Sequence, residues 1–127
     1  MATIELTDDT FAEIIDNNDI VVIDFWADWC GPCKSFAPTF EKVSDNHTDV
    51  VFAKCDTEKE QMLATQFGIK SIPTLAILRE RVLLLSQTGA LPESALEDVI
   101  SQAKALDMTG VHAAIAQEQG TAPSTEE

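Results

Sequence analysis

The run Ile20-Val21-Val22-Ile23-Asp24-Phe25-Trp26 constrains the fold more than any other part of the chain. An apolar, largely β-branched run without polar alternation suits a strand covered on both faces, at the centre of a layered α/β protein. Asp24 is the anomaly within it. An unpaired buried carboxylate is costly, so it requires a partner or a pKa above the usual range. Lys54, in the second apolar run Val50-Val51-Phe52-Ala53-Lys54-Cys55, is the expected partner if the two strands lie side by side.

The rest of the chain supplies the layers. Ile4-Glu5-Leu6 reads as a short strand, and Thr7 is placed to cap a following helix with Asp8 and Asp9 in its first turn. Phe11, Ile14 and Ile15 give that helix an apolar stripe, and Asn17-Asn18-Asp19 ends it. A loop from Ala27 to Pro32 leads into a helix carrying Phe36, Phe40 and Val43, with Pro38 expected to bend it. Lys59–Phe67 predicts a helix stopped by Gly68. Thr74–Leu78 and Val82–Leu85 predict a hairpin through Arg79-Glu80-Arg81, which lacks the Asn or Gly that a tight primed turn prefers. A helix from about Pro92 presents Leu96, Val99, Ile100 and Ala103. The order β-α-β-α-β-α-β-β-α predicts an α/β fold with a mixed five-stranded sheet and helices on both faces. The domain is expected over residues 1–106. Residues 107–127 form an extension, helical in spacing at Val111, Ala114 and Ile115 and disordered from Gly120 to Glu127.

At 127 residues the chain is long enough for one real core without staples. Its formal charge of −14, with no Lys or Arg before Lys34, disfavours nucleic acid and anionic membrane surfaces as partners. No apolar run approaches the ~20 residues needed to span a bilayer, and no secretory leader is evident, so a cytoplasmic location is expected. Three cysteines in such a compartment are core, metal-binding or catalytic rather than a disulfide framework.

Trp29-Cys30-Gly31-Pro32-Cys33 falls where the central strand ends and a helix begins. Two cysteines at this spacing can close a small disulfide ring. At a helix start, unpaired N–H groups and the positive end of the dipole stabilise a thiolate and lower its pKa. Such a thiolate is both a good nucleophile and a fair leaving group. Pro32 fits the first turn, where its missing N–H costs nothing. Ile72-Pro73-Thr74 opens a strand whose backbone edge is left free for an extended peptide. The rival reading is a metal site completed by Cys55, His47 or His112, against which stands the lack of a second ligand pair. Cys55 itself reads as buried and inert, and His47, among Asn46, Thr48 and Asp49, as solvated.

From Ile4 to Leu106 the chain resembles the thioredoxin family. The resemblance is carried by Asp24-Phe25-Trp26-Ala27, Trp29-Cys30-Gly31-Pro32-Cys33-Lys34, Ala53-Lys54, Phe67-Gly68-Ile69, Ile72-Pro73-Thr74 and Thr88-Gly89-Ala90. It implies the thioredoxin fold and a protein-disulfide reductase with no bound cofactor, recharged by an NADPH-dependent thioredoxin reductase and acting on disulfide-containing client proteins. It further implies that Cys30 is the exposed attacking cysteine and Cys33 the shielded resolving one. By the same resemblance Asp24 assists the proton transfer that activates Cys33, with Lys54 tuning it, and Pro73 is a cis-proline beside the disulfide. Trp29, Gly31, Pro32, Ile72, Gly89 and Ala90 fall where the family makes its apolar docking surface, and Thr88 stands there in place of a more usual aliphatic residue. The alternative, from a different functional class, is an adaptor or co-chaperone that binds clients through the same rim with little turnover.

Leu83-Leu84-Leu85 is expected on an edge strand, a liability if bare. Either Met108 to Ile115 packs back over it in a monomer, or the leucines form a dimer contact.

Overall fold

The computed structural model describes residues 2–118 with their side chains, and the disorder expected from Gly120 to Glu127 lies outside them. In chain order the elements are β1 (Thr3–Glu5), α1 (Phe11–Asn17), β2 (Ile20–Trp26), α2 (Gly31–Asp45), β3 (Val51–Asp56), α3 (Gln61–Gln66), β4 (Thr74–Arg79), β5 (Val82–Thr88), α4 (Glu93–Ala105) and α5 (Met108–Glu126). The sheet order is β1-β3-β2-β4-β5. β3 lies parallel to both β1 and β2, whereas β4 runs antiparallel to β2 and β5. β2 is central, and six of its seven residues are buried, as a run apolar on both faces requires.

Alternation along the strands sorts the core into two layers. Ile20, Val22, Phe52, Leu75 and Ile77 face α2 and α4, meeting Phe36, Phe40, Val43, Leu96 and Ile100. Val21, Ile23, Phe25, Ala53, Cys55 and Ala76 face α1 and α3, meeting Ile15 and Leu63. Each large apolar side chain taken out of water contributes about 1.5–3 kcal/mol, so the two layers dominate stability. The same alternation puts Asp24 and Lys54 in the first layer, beneath the helix that begins at the cysteines.

Several local expectations are corrected. Thr7 caps the turn that leads into α1, its Oγ1 accepting the Thr10 N–H at 3.1 Å and its carbonyl the Phe11 N–H at 3.1 Å. α1 itself begins only at Phe11, so Asp8 and Asp9 fall in that turn and not in the helix. Asp8 instead serves α3, accepting the Leu63 N–H at 3.0 Å, while Glu60 Oε1 accepts the Asp8 N–H at 2.9 Å. This reciprocal capping joins segments some fifty residues apart, which no local pattern reveals. α3 starts at Gln61 rather than Lys59 because Asp56 organises the preceding turn, accepting the Glu58 N–H at 2.9 Å.

The hairpin between β4 and β5 turns through two residues, with φ of 51° at Glu80 and 67° at Arg81. Both lie in the left-handed region, so the turn is of the primed kind despite having no Gly or Asn. Tertiary contacts hold it: the Glu80 N–H donates to the Asp19 carbonyl at 2.7 Å, and Arg81 lies 3.7 Å from Asp16. Arg81→Gly is expected to raise stability by about 0.5–1 kcal/mol, because relief of the left-handed strain outweighs an exposed ion pair. Urea unfolding with an unchanged m-value checks it.

Arg79 ties this end of the sheet together. Its Nη1 donates to the carbonyls of Ala103 (2.8 Å), Lys104 (3.0 Å) and Leu106 (2.8 Å), closing the C-terminus of α4. Beyond it Met108 is buried, and His112 Nε2 meets Glu80 Oε1 at 2.6 Å. The extension is thus anchored to the hairpin tip. Leu83 on edge strand β5 remains 47% exposed, whereas Leu84 and Leu85 are half-buried against the core layer of α2 and α4. The register of β5 shifts opposite Ile77/Leu78, and such an irregularity blunts an edge against pairing with other chains.

His47 is also corrected: it is buried rather than solvated. Its Nε2 lies 2.7 Å from Glu97 Oε1, and its Nδ1 lies 2.8 Å from Lys104 Nζ. An ammonium can only donate, so Nδ1 accepts and Nε2–H donates to Glu97. These hydrogen bonds from His47 and Asn46 hold the Glu97 carboxyl below its ordinary pKa. The polar neighbours in sequence concealed a histidine that joins the loop after α2 to α4.

Candidate active site

Three chain segments meet at the end of β2. The first is the start of α2, where Cys30 is the N-cap residue in extended conformation (φ −93°, ψ 110°) and Pro32 lies in the first turn. Cys30 Sγ accepts the Cys33 backbone N–H at 3.1 Å. The sulfur thus takes the place of the oxygen in a Ser or Asp cap, and negative charge there lies on the positive end of a fifteen-residue helix. The second segment is Ile72-Pro73, joined by a cis peptide bond, with the Ile72 carbonyl oxygen 3.7 Å from Cys30 Sγ. The third is the Gly89 turn, whose N–H donates to the Pro73 carbonyl at 2.8 Å. Gly89 adopts φ 98°, a conformation that side chains disfavour.

Cys30 and Cys33 are joined by a disulfide, their Cα atoms 5.3 Å apart. Exposure does not separate them as expected: Cys30 is 3% exposed and Cys33 2%. In the oxidised ring both sulfurs are held against the protein, so the asymmetry lies in what surrounds them. Cys30 Sγ faces the Ile72 carbonyl at the rim, whereas Cys33 is drawn inward as part of the buried face of α2.

The candidate docking residues surround the pair. Trp29 is 70% exposed, Gly31, Pro32, Gly89 and Ala90 are also exposed, and Ile72 is half-buried. Trp29 Nε1–H donates to Glu58 Oε2 at 3.3 Å, and a groove beside the ring is lined by Glu58, Lys70, Ser71 and Ile72. Glu58 was not singled out from the sequence, where it is one acid in a polar segment.

Asp24 is wholly buried, and neither carboxylate oxygen has a hydrogen-bond partner among the described residues. Burial pushes its pKa up from 3.8 to about 7, with the positive charge of Lys54 opposing the rise. β2 and β3 do align the two residues directly opposite each other. The expected pairing is nonetheless only a field effect, because no hydrogen bond or ion pair joins them among the described residues. The Lys54 ammonium instead lies 5.1 Å from the centroid of the Trp26 ring, a cation–π contact.

Cys55 lies in the other layer of the core, fully buried, with burial and nearby acids pushing its thiol up to about 12. It is a buried core residue, on the opposite side of the sheet from the Cys30–Cys33 pair. His47 is engaged by Glu97 and Lys104, and His112 stands at the hairpin tip, so the ligands of the rival metal reading are scattered across the molecule.

The thioredoxin family model matches residues 2–102. The chain belongs to the thioredoxin family. It is 53% identical over 121 residues to putative thioredoxin 2 of Streptomyces coelicolor, covering 95% of this chain and 90% of that one. It is 42% identical over 100 residues to thioredoxin C-3 of Corynebacterium nephridii, covering 78% of this chain and 69% of that relative. Among solved structures, a Plasmodium falciparum thioredoxin superposes with a TM-score of 0.73 at 34% identity, covering 79% of this chain and 97% of that one. Spinach chloroplast thioredoxin F gives 0.72 at 36% identity, covering 79% and 93%. The five-stranded mixed sheet is therefore the thioredoxin fold, and the Cys30–Cys33 pair makes the chain a thiol–disulfide oxidoreductase that reduces protein disulfides.

Proposed function

We propose that Cys30 is the attacking sulfur and Cys33 the resolving one, with Asp24 as the proton acceptor that frees Cys33. The observation that carries this reading is Cys30 Sγ at the N-cap of α2, accepting the Cys33 N–H at 3.1 Å. A reduced Cys30 there is favoured as a thiolate. A client disulfide docks on the rim of Trp29, Gly31, Pro32, Ile72, Gly89 and Ala90, its chain running beside Pro73. The Cys30 thiolate attacks one client sulfur, the client S–S bond breaks, and the departing client thiolate takes up a proton. Cys33 gives its proton to the Asp24 carboxylate and attacks Cys30 Sγ, releasing the second client thiolate. The client gains two electrons and the protein is left as the disulfide. Lys54 tunes Asp24 through its charge, and Pro73 holds the Ile72 carbonyl against the reacting sulfur.

A thioredoxin reductase using NADPH returns the two electrons, so no cofactor need be held by this chain. The protein works as a monomer in the cytoplasm, a reading supported by a site built within one chain and by the reducing supply such a cycle requires. Turnover of insulin disulfides with NADPH and a thioredoxin reductase is the expected result, read as NADPH consumption. Client binding without NADPH consumption, in a folded protein, would favour the adaptor reading instead.

A further inference from the structure

The chain carries 22 acids against 8 bases, yet its bases are not spread evenly. Lys42, Arg79, Arg81 and Lys104 each lie within 4.0 Å of a carboxylate, and Lys54 lies over Trp26. The remaining three, Lys34, Lys59 and Lys70, have no ion-pair partner among the described residues, and all three lie in segments that bound the redox site. Lys34 follows Cys33, Lys59 follows Glu58, and Lys70 lines the groove that runs from Trp29 to Ile72. Of the acids in the same segments, Glu58 is turned toward the Trp29 ring N–H and Glu60 toward the Asp8 N–H, and Asp28 is exposed. Glu58 shares the groove with Lys70, the groove's one cation among the described residues. Residues 82–92, beside the other rim of the site, carry no charge at all. A strongly anionic protein therefore presents its unpaired cations where clients dock.

We propose that the groove beside Trp29 takes the client chain next to the attacked cysteine and selects an acidic side chain there, which Lys70 meets. The proposal rests on the Cys30 reading above. Ile72 fixes the register, because its carbonyl lies 3.7 Å from Cys30 Sγ and it also lines the groove. Lys70 precedes it by two positions. An extended client in that groove, rising about 3.3 Å per residue, places a side chain about two residues from its cysteine along the wall that Lys70 lines. Without such a local cation, the field of the whole chain would repel acidic clients.

The test uses two disulfide peptides identical except for Glu or Lys two residues from the attacked cysteine. Each is turned over by the wild-type protein, Lys70→Gln and Lys70→Glu, with circular dichroism confirming the fold. At low ionic strength the wild type is expected to prefer the Glu peptide by about three- to fivefold in kcat/KM, the reach of one exposed ion pair. Lys70→Gln removes most of the preference, Lys70→Glu reverses it, and about 0.5 M salt flattens all three. Equal rates on both peptides in the wild type, or a preference that survives Lys70→Glu, overturn the proposal while leaving disulfide reduction intact. Failure to turn over either peptide counts instead against the Cys30 mechanism itself.

Discussion

Cys30→Ser reduces insulin disulfides no faster than the uncatalysed background, a loss on the order of a thousandfold or more. A serine hydroxyl at the N-cap still accepts the Cys33 N–H, so α2 keeps its start while the nucleophile is gone. Cys33→Ser behaves differently. Its Cys30 thiolate still attacks, but nothing resolves the product, and the client accumulates as a mixed disulfide visible on a non-reducing gel and released by dithiothreitol. Turnover by either variant would overturn the exchange mechanism. Reversed behaviour, with clients trapped on Cys33 in the Cys30→Ser variant, would reverse the roles assigned to the two sulfurs.

Asp24→Asn is expected to make the protein more stable and slower at once. A carboxyl whose pKa rises from 3.8 to about 7 on folding binds its proton more tightly in the native state. Folding then carries no penalty below the lower value, a penalty that grows as pH rises between the two, and a constant one above about 7. At about 1.4 kcal/mol for each pH unit, removing the charge gains at most about 4 kcal/mol near pH 8 and almost nothing near pH 4. Chemical denaturation at both pH values measures it. An equal effect at the two would show that Asp24 ionises in the folded state like a free carboxylate. The same variant loses its internal base, and resolution of the mixed disulfide by Cys33 is expected to slow by about a hundredfold at neutral pH. That effect should shrink as pH rises and the thiol ionises unaided.

How much of this was legible beforehand depends on the range over which each cause acts. β2 announced itself because every position from Ile20 to Phe25 is buried, and the cysteine pentad because its chemistry is compressed into five consecutive residues. Asp24 stood out as a charge among apolar neighbours, and its register with Lys54 followed from two strands of similar pattern. The helix starts were less readable. Asp8 looks like a first-turn acid of the helix beside it but serves Leu63, and a cap supplied across the fold leaves no trace at the helix it closes. His47 sits among polar neighbours, and the α4 side chains that bury it lie some fifty residues away. The Glu80-Arg81 turn breaks the usual turn chemistry because Asp16 of α1 and Asp19 in the loop after it hold it. Glu58 reaches Trp29 only once the turn after β3 is folded.

Cys30 Sγ receives the Cys33 amide proton at 3.1 Å, so one atom both exchanges electrons and terminates a helix. Any gain of charge on that sulfur is sensed at once by a main-chain group beside the second cysteine. The nitrogen and proton resonances of the Cys33 amide should therefore track the oxidation state and the titration of Cys30 without a label or a chromophore. A folded domain with that property is a built-in electrode, readable in solution while it works.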